Sequence, residues 1–525
     1  MISDTFALAI SSGLSLFLCL KAFIDYRAGL RSINYLPGFR ALISSFGILG
    51  LFFKEPKRGL WGGRRRFWLR KHLDFEEAGV DIISHIAFLP SVSTYLLLAD
   101  AAAIKEVTGH RARFPKPTYK TLRIFGGNVL ASEGEEWKRH RKVVGPAFSE
   151  HNNRLVWNET VKIVNDLFAN VWGSQSEVYV DNVVQSVTLP MALYVISIAG
   201  FGKRALWQAD GNLPPGHKLS FQDALHILGT DLWIKAATPT LLMNWAPTTR
   251  IANVKLAFDE VKQYMLELIQ ERRNSEKRDE RYDLFSSLLD ANDLNEDGNG
   301  NVTLTNDELL GNIFIFMLAG HETTAHTLAF TFGLLALHPD YQETVYQQIK
   351  SIVPDNRPPM YEEMNSLTEC MAVLYETLRL FPPTATIPKI AAEDTYLVTI
   401  DRAGNRVVVP VPCGTALHLN VIALHHNPRY WDNPSAFKPE RFRGDWPRDA
   451  FIPFSTGSRS CIGRRFFETE SIAILTMILS RYKIELRNDP RFADETYEER
   501  WQRVLRVKDG LTPAPAHLSL VFKRR

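Results

Sequence analysis

The stretch "FIPFSTGSRSCIGRRFF" (Phe451–Phe467) sets three arginines, two glycines and four phenylalanines around one cysteine, Cys461. The chain has 4 cysteines in 525 residues, too few for a disulfide scaffold. Cys19 lies in an apolar N-terminal run, while Cys370 and Cys413 have ordinary neighbours. A buried structural thiol wants apolar surroundings. Arg459, Arg464 and Arg465 suit a thiolate instead.

Working outward, 45% hydrophobic and 23% charged residues describe a folded globular chain long enough for a large core. The net charge of +3, from 61 Lys+Arg against 58 Asp+Glu, is no nucleic-acid footprint. At the N-terminus, Phe6–Ile24 carries only Lys21 as a charge. As a helix it would reach about 28 Å, close to the roughly 30 Å hydrocarbon layer. No basic segment precedes it, whereas Lys21, Arg27, Arg31 and Arg40 sit at its end or beyond. This order predicts an uncleaved transmembrane anchor over 1–27, with the rest of the chain on the cytoplasmic side. A basic aromatic segment follows within 28–72, "KEPKRGLWGGRRRFWLRKH" (Lys54–His72), which suits an anionic membrane surface or a solvated linker. Residues 73–525 then read as one large domain.

Within that domain, Thr305 and Glu308 form a capping box that starts a helix near Asn306. Its pattern runs without proline to about Leu337, a length that places it at the centre of the fold. Shorter helices are expected over Tyr341–Ile352 and Tyr361–Leu380. Strands are expected at "TYLVTI" from Thr395, "RVVVPV" from Arg406 and "HLSLVFK" near the end. The fold class is therefore mainly α with a minor β-sheet region. "DLNEDGNG" (Asp293–Gly300) begins like a calcium loop, but its twelfth position is Leu304 rather than the required glutamate.

The decapeptide "FSTGSRSCIG" resembles the haem-binding signature of the cytochromes P450, with Phe454, Gly457, Arg459, Cys461 and Gly463 in register. Three further elements strengthen that resemblance. "YETLRLFPP" supplies Glu376 and Arg379, and "PERF" supplies Arg441, which in the family complete a buried structural triad. "FIFMLAGHETTAHT" supplies Ala319, Gly320, Glu322, Thr323 and Thr324 inside the long helix. "GEEWKRHRKVVGPAF" supplies Trp137 and Arg141, one helical turn apart. The segment from Phe114 to Lys142 looks like fungal microsomal, class II members.

The resemblance implies the cytochrome P450 fold around haem b, with Cys461 as the axial thiolate and metal ligand. Arg459, Trp137, Arg141 and Lys389 would contact its propionates, and Phe454, Gly463, Ala319 and Gly320 would pack against it. Glu322 and Thr323 would be the catalytic acid and hydroxyl that deliver protons to dioxygen. A back-bonding threonine is expected to distort the helix there. His321, at the motif's variable position, reads as a packed or water-bonded side chain rather than a ligand. The basic face Lys138, Arg139, His140 and Lys142 would receive an acidic redox partner.

The family implies NADPH-driven monooxygenation of an apolar organic substrate, by hydroxylation or epoxidation. Electrons would come from NADPH–cytochrome P450 reductase, with cytochrome b5 a further partner. The implied location is the endoplasmic reticulum membrane, single-pass, with a lipid membrane as a contact and no nucleic acid. Two alternatives stay open: a reductase-independent isomerase or peroxygenase, and a non-catalytic haem-based sensor. Candidate substrate-pocket residues are Phe314, Met317, Leu318, Thr384, Ala385, Thr386 and Ile387. Fatty acids, terpenoids, sterols and polycyclic aromatics all fit such an apolar lining.

Overall fold

The computed structural model describes all residues except 1, 48, 49, 51, 52, 54, 58, 64, 118, 120, 121, 203–206, 208–212, 275–282, 298–302, 509 and 511. The side chains of 2–11, 233, 236, 237, 240, 291, 293–297 and 356 are also outside this description. The calcium-loop-like stretch therefore falls largely outside the described residues. The chain divides into two compact units. Unit 1 holds Met1–Pro117, Thr384–Ala436 and Pro447–Ser460; unit 2 holds Thr118–Pro383, Phe437–Trp446 and Cys461–Arg525.

Unit 1 is built on a six-stranded sheet in the order Gly59–Trp61, Gly38–Ile43, Ile82–Leu89, Ser93–Leu98, Ala416–Asn420, Thr386–Ile390. The pairings mix parallel and antiparallel, with His85 opposite both Phe39 and Tyr95, and Lys389 opposite Leu417. Ile82–Leu89 is buried over most of its length on both faces, which removes the alternation that would have announced it as a strand. The hairpin strands Thr395–Ile400 and Arg406–Val411 stand where expected. Beneath the sheet, Phe67, Phe75, Ile83, Leu97 and Ile422 form an apolar cluster, on which Ala385 packs.

The expected anchor is not borne out. Helix α1 (Ile2–Ser32) forms, but among the described residues no helix is long and apolar enough to cross a membrane. Asp4, Lys21, Asp25, Arg27 and Arg31 stand along it, and its longest uncharged run is Thr5–Leu20. A span needs about 20 apolar residues. The transmembrane helix and the single-pass endoplasmic reticulum topology are corrected accordingly. The basic segment after it is tied into unit 1. Arg66 donates to both oxygens of Asp74 (2.7 Å each) and lies 3.9 Å from the Phe39 ring. Arg70 also reaches Asp74 (2.9 Å), and Phe67 is buried. Its described arginines, Arg65, Arg66 and Arg70, all have partners in the protein.

Helix α2 (Ala101–Gly109) is capped by Asp100, which accepts from the Ala103 N–H. It supports the turn Gly457–Arg459: a Cβ on Gly457, at φ +72°, would stand 2.5 Å from the Thr108 carbonyl. Glycine is needed there for both conformation and space.

Unit 2 is helical. Its labelled helices are α3 (Gly134–Val144), α4 (Phe221–Ala237), α5 (Thr249–Arg273), α6 (Asn306–Leu337), α7 (Thr368–Leu380) and α8 (Arg464–Arg481). A small antiparallel sheet orders Tyr482–Leu486, Leu520–Arg524 and Glu177–Val180. Helix α6 begins and ends as the sequence predicts, and both halves of the Thr305/Glu308 capping box are present. The helix expected over Tyr361–Leu380 is instead a 3-10 turn, Tyr361–Ser366, followed by α7. Leu367, at φ −80°, ψ 55°, interrupts it.

Candidate haem-thiolate site

The cysteine stretch crosses the unit boundary at the Ser460–Cys461 bond. In unit 1, Phe454 is half-buried, Ser455 takes a left-handed φ of 57°, and Gly457 opens the turn that ends with Arg459. Lys389 is buried on Thr386–Ile390. Thr384 is exposed, and Ala385, Thr386 and Ile387 are half-buried.

In unit 2, Cys461 is a free thiol whose side chain keeps accessible surface, yet the surrounding protein is dense enough for burial to raise its pKa. Those two facts agree if the thiol lines an internal space. The Gly463 N–H and the charges of Arg141 and Arg464 act the other way and favour the thiolate. The other described cysteines lack this combination. Burial pushes the Cys370 thiol up to about 12, and exposed Cys413 donates to the Ala392 carbonyl at 3.3 Å.

Arg464 opens α8 and donates to Glu468 (2.8 Å) and the Tyr375 hydroxyl (2.8 Å). Arg141 is half-buried on α3, and Trp137, one turn earlier, is buried. The α7 pair is wholly enclosed. Arg379 donates to Glu376 through Nε (2.7 Å) and Nη2 (2.8 Å), and the Lys438 N–H adds a third bond at 2.9 Å. Arg441 Nε stands 3.5 Å from the same carboxylate, so the structure brings these three residues together.

Helix α6 is buried from Leu309 to Leu318, then opens. Ala319 is exposed and Gly320 and Thr323 half-exposed, although Glu322, Thr324 and Ala325 are buried. A strip one turn long therefore faces empty space. Thr323 donates to the Ala319 carbonyl (2.8 Å) and Thr324 to that of Gly320 (3.0 Å). The helix stays unbroken across this strip. Burial, with no opposing charge among the described residues, raises Glu322 to about 7. His321 gives its Nδ1 hydrogen to the Met317 carbonyl (2.8 Å) and burial lowers it to about 4, so it is the packed neutral side chain expected. Phe314, Met317 and Leu318 are buried, Phe314 edge-on to Phe125 at 4.9 Å.

The basic face of α3 is reduced by the structure. His140 is fully buried and Arg139 turns inward to Glu308, which leaves Lys138 and Lys142 exposed. Asn312 fixes the His140 tautomer: its Nδ2 donates to His140 Nδ1 (2.9 Å) and to the Glu308 carbonyl (2.7 Å), while its Oδ1 accepts the Val129 N–H (2.9 Å). The hydrogen therefore sits on Nε2, 3.5 Å from Glu308 and 3.9 Å from Glu136. Glu136, His140 and Glu308 lie close enough for a metal ion, but Nε2 has no lone pair to give. Arg123 and Arg139 already hold the carboxylates. Sequence reasoning also missed Glu470 on α8, a fully enclosed acid that burial raises well above its usual range and whose carboxyl meets Thr324.

An accessible thiol under a backbone N–H and two guanidinium charges, together with an opened strip on a long buried helix, fits a planar iron cofactor bound through sulfur. The donor set is that of a haem-thiolate enzyme. Residues 88–508 match the family model "Cytochrome P450". The chain is 52% identical to cytochrome P450 monooxygenase 124 of Postia placenta, over 96% of this chain and 97% of that one. It is 30% identical to cyclooctat-9-en-7-ol 5-monooxygenase of Streptomyces melanosporofaciens, over 70% of this chain and 74% of that one. A solved cytochrome P450DA heme domain has the same fold, with a TM-score of 0.72 at 23% identity, covering 93% of this chain and 99% of that one.

The chain belongs to the cytochrome P450 family and resembles its fungal members. It is a haem-thiolate monooxygenase, an oxidoreductase that uses haem b, dioxygen and electrons from NADPH.

Proposed function

We propose that Cys461 supplies the axial thiolate, and that the chain is of class II type, oxidising an apolar small molecule with electrons from NADPH–cytochrome P450 reductase. The observation that carries this reading is the Cys461 environment described above: one backbone N–H and two cations favour the charged sulfur against burial. Bound haem supplies the oxidative chemistry. The chain's residues bind, orient and move protons. Arg141 and Arg464 balance the sulfur's charge, and Trp137 and Arg141 face the propionates, with Arg459 and Lys389 as further cations of that class. The triad Glu376, Arg379 and Arg441 braces the region that presents Cys461.

Glu322 holds a proton near neutral pH. Thr323 gives its only hydrogen to the Ala319 carbonyl, so its lone pairs accept a proton from the acid while its own hydrogen turns to the open side. Ala319 and Gly320 keep that side free for oxygen and substrate. The exposed Lys138 and Lys142 form the basic surface for an acidic reductase, with cytochrome b5 a second donor to it. Phe314, Met317, Leu318, Thr384, Ala385, Thr386 and Ile387 remain the substrate-facing candidates, and catalysis lies within 73–525.

The test is Cys461→Ser in the haem-loaded protein. The carbon-monoxide difference spectrum of thiolate-ligated ferrous haem should vanish together with reductase-driven turnover. A retained thiolate spectrum would overturn the assignment. An optical spin-state titration of the parent with fatty acids, a terpenoid, a sterol and polycyclic aromatics then sorts the substrate class. Product formed from peroxide alone, and none with reductase and NADPH, would overturn the class II reading.

A further inference from the structure

The residue of α4 that meets Glu322 is a glycine. A Cβ on Gly229 would stand 2.0 Å from Glu322 Oε1 and 3.1 Å from its Cδ. Real Cβ contacts do not approach so closely, so any side chain at 229 would displace the carboxyl. Nothing in the α4 backbone asks for glycine there: its φ is not left-handed, and the helix departs from helical geometry only at Asp231 (φ −118°, ψ 16°). Within a helix, glycine costs about 1 kcal/mol relative to alanine. What that cost gains at 229 is the space the Glu322 carboxyl fills.

The other groups near this contact are already committed. Asp231 is bound by Arg250 (2.7 Å), and His226 faces His321, on which its charge acts. Among the described residues no charged group acts on Glu322, and burial raises its pKa. The carboxyl is thus seated against the bare backbone of one helix while it hangs from another.

We propose that Gly229 is a positioning residue: the absence of its side chain seats the Glu322 carboxyl against α4, in the conformation from which it passes a proton to Thr323. This rests on the proton-carrying role proposed for Glu322. The seat recognises a carboxylic acid by shape, and it sets where that acid can point. A substitution at 229 therefore acts through Glu322.

Gly229→Ala tests this, with Glu322→Gln and the double variant Gly229→Ala/Glu322→Asp beside it. Carboxyl-region infrared titration reads the acid directly. The parent should show a protonated carboxyl band that disappears with a midpoint near 7, and Glu322→Gln should lack it. In Gly229→Ala the midpoint should fall towards the ordinary carboxylate range, because the displaced group meets water. Product formed per NADPH should fall about tenfold in Gly229→Ala, the low end of what a general acid supplies or less. The shorter aspartate should recover most of that loss in the double variant.

An unchanged midpoint and unchanged coupling in Gly229→Ala would overturn the seat. Unchanged coupling in Glu322→Gln would overturn the proton-carrying role, while a moved midpoint in Gly229→Ala would still support the seat. Should Gly229→Ala fail to fold, Gly229→Ala/Glu322→Ala decides. Recovery of a normal thermal transition supports the steric complementarity, and no recovery overturns it.

Discussion

Replacing Arg379 by methionine keeps length and apolar bulk but removes the guanidinium from a site with no accessible surface. Glu376 would lose two short bonds, at 2.7 and 2.8 Å, and keep the Lys438 N–H at 2.9 Å and Arg441 at 3.5 Å. Breaking a buried pair from one side strands the other charge and costs about 3–5 kcal/mol. Glu376→Leu/Arg379→Met removes both charges at once. What then loses its acceptor is the Lys438 N–H, worth about 1–3 kcal/mol, while Arg441, already the looser member at 3.5 Å and only half-buried, loses its carboxylate. The double variant should therefore be more stable than Arg379→Met, although it carries one more substitution. Denaturant unfolding followed by circular dichroism gives the stabilities, and exchange of the Lys438 amide proton gives the local effect: faster in both variants, since its acceptor is loosened in one and absent in the other. The reasoning fails if Arg379→Met costs under about 1 kcal/mol, or if the double variant is less stable than the single one.

Three more expectations follow from the same geometry. Gly457→Ala combines a left-handed φ of 72° with a Cβ 2.5 Å from the Thr108 carbonyl, and should destabilise by more than about 1 kcal/mol; a thermal midpoint equal to the parent's would contradict it. His85 has no hydrogen-bond partner for either ring nitrogen among the described residues, and burial lowers it to about 3. Its folded-state pKa is depressed, so the stability it contributes is present above about 6.5 and lost as pH falls towards 3. His85→Phe, stacked between Phe39 and Tyr95, should flatten that acid limb in pH-dependent unfolding; an unchanged limb counts against it. Glu322 runs the opposite way: its folded-state pKa is raised to about 7, so its stability contribution is complete below about 4.5 and is lost as pH rises through 7, by roughly 3 kcal/mol at most. Glu322→Gln should remove that alkaline decline, and a decline that persists unchanged would assign it to other groups.

The parts of this structure that were readable beforehand are those whose causes are local. The capping box of α6 lies within four residues, and no proline interrupts the helix before its end. The cysteine stretch declares itself through its own arginines and glycines. The missed features depend on partners distant in sequence. Ile82–Leu89 is a strand because Gly38–Ile43 and Ser93–Leu98 flank it, and burial of both faces erases its alternation. His140 looked like part of an exposed basic face, yet Asn312 and Glu308 of another helix enclose it. The N-terminal run reads as apolar along Phe6–Ile24, but the helix continues to Ser32 with Lys21, Asp25, Arg27 and Arg31 on it, and no helix among the described residues is long and apolar enough to cross a membrane.

One signal for the Glu322 seat was present in the sequence: an isolated glycine, Gly229, inside a helical pattern, where a packing reason is the usual explanation. What the sequence could not supply was the partner, almost a hundred residues away. The comparison of Glu322 with Glu376 shows why that matters. Both are glutamates on buried helices, one turn or less from the motif residues that define them. Glu376 meets two arginines and a backbone N–H, so its burial is compatible with charge and its use is to hold elements together. Among the described residues Glu322 meets a bare stretch of helix and no cation, so its burial favours the proton, as the carrier role proposed for it requires. The same residue type becomes a brace or a carrier according to what faces it, which makes the empty side chain of Gly229 as much a part of the site's chemistry as the acid it admits.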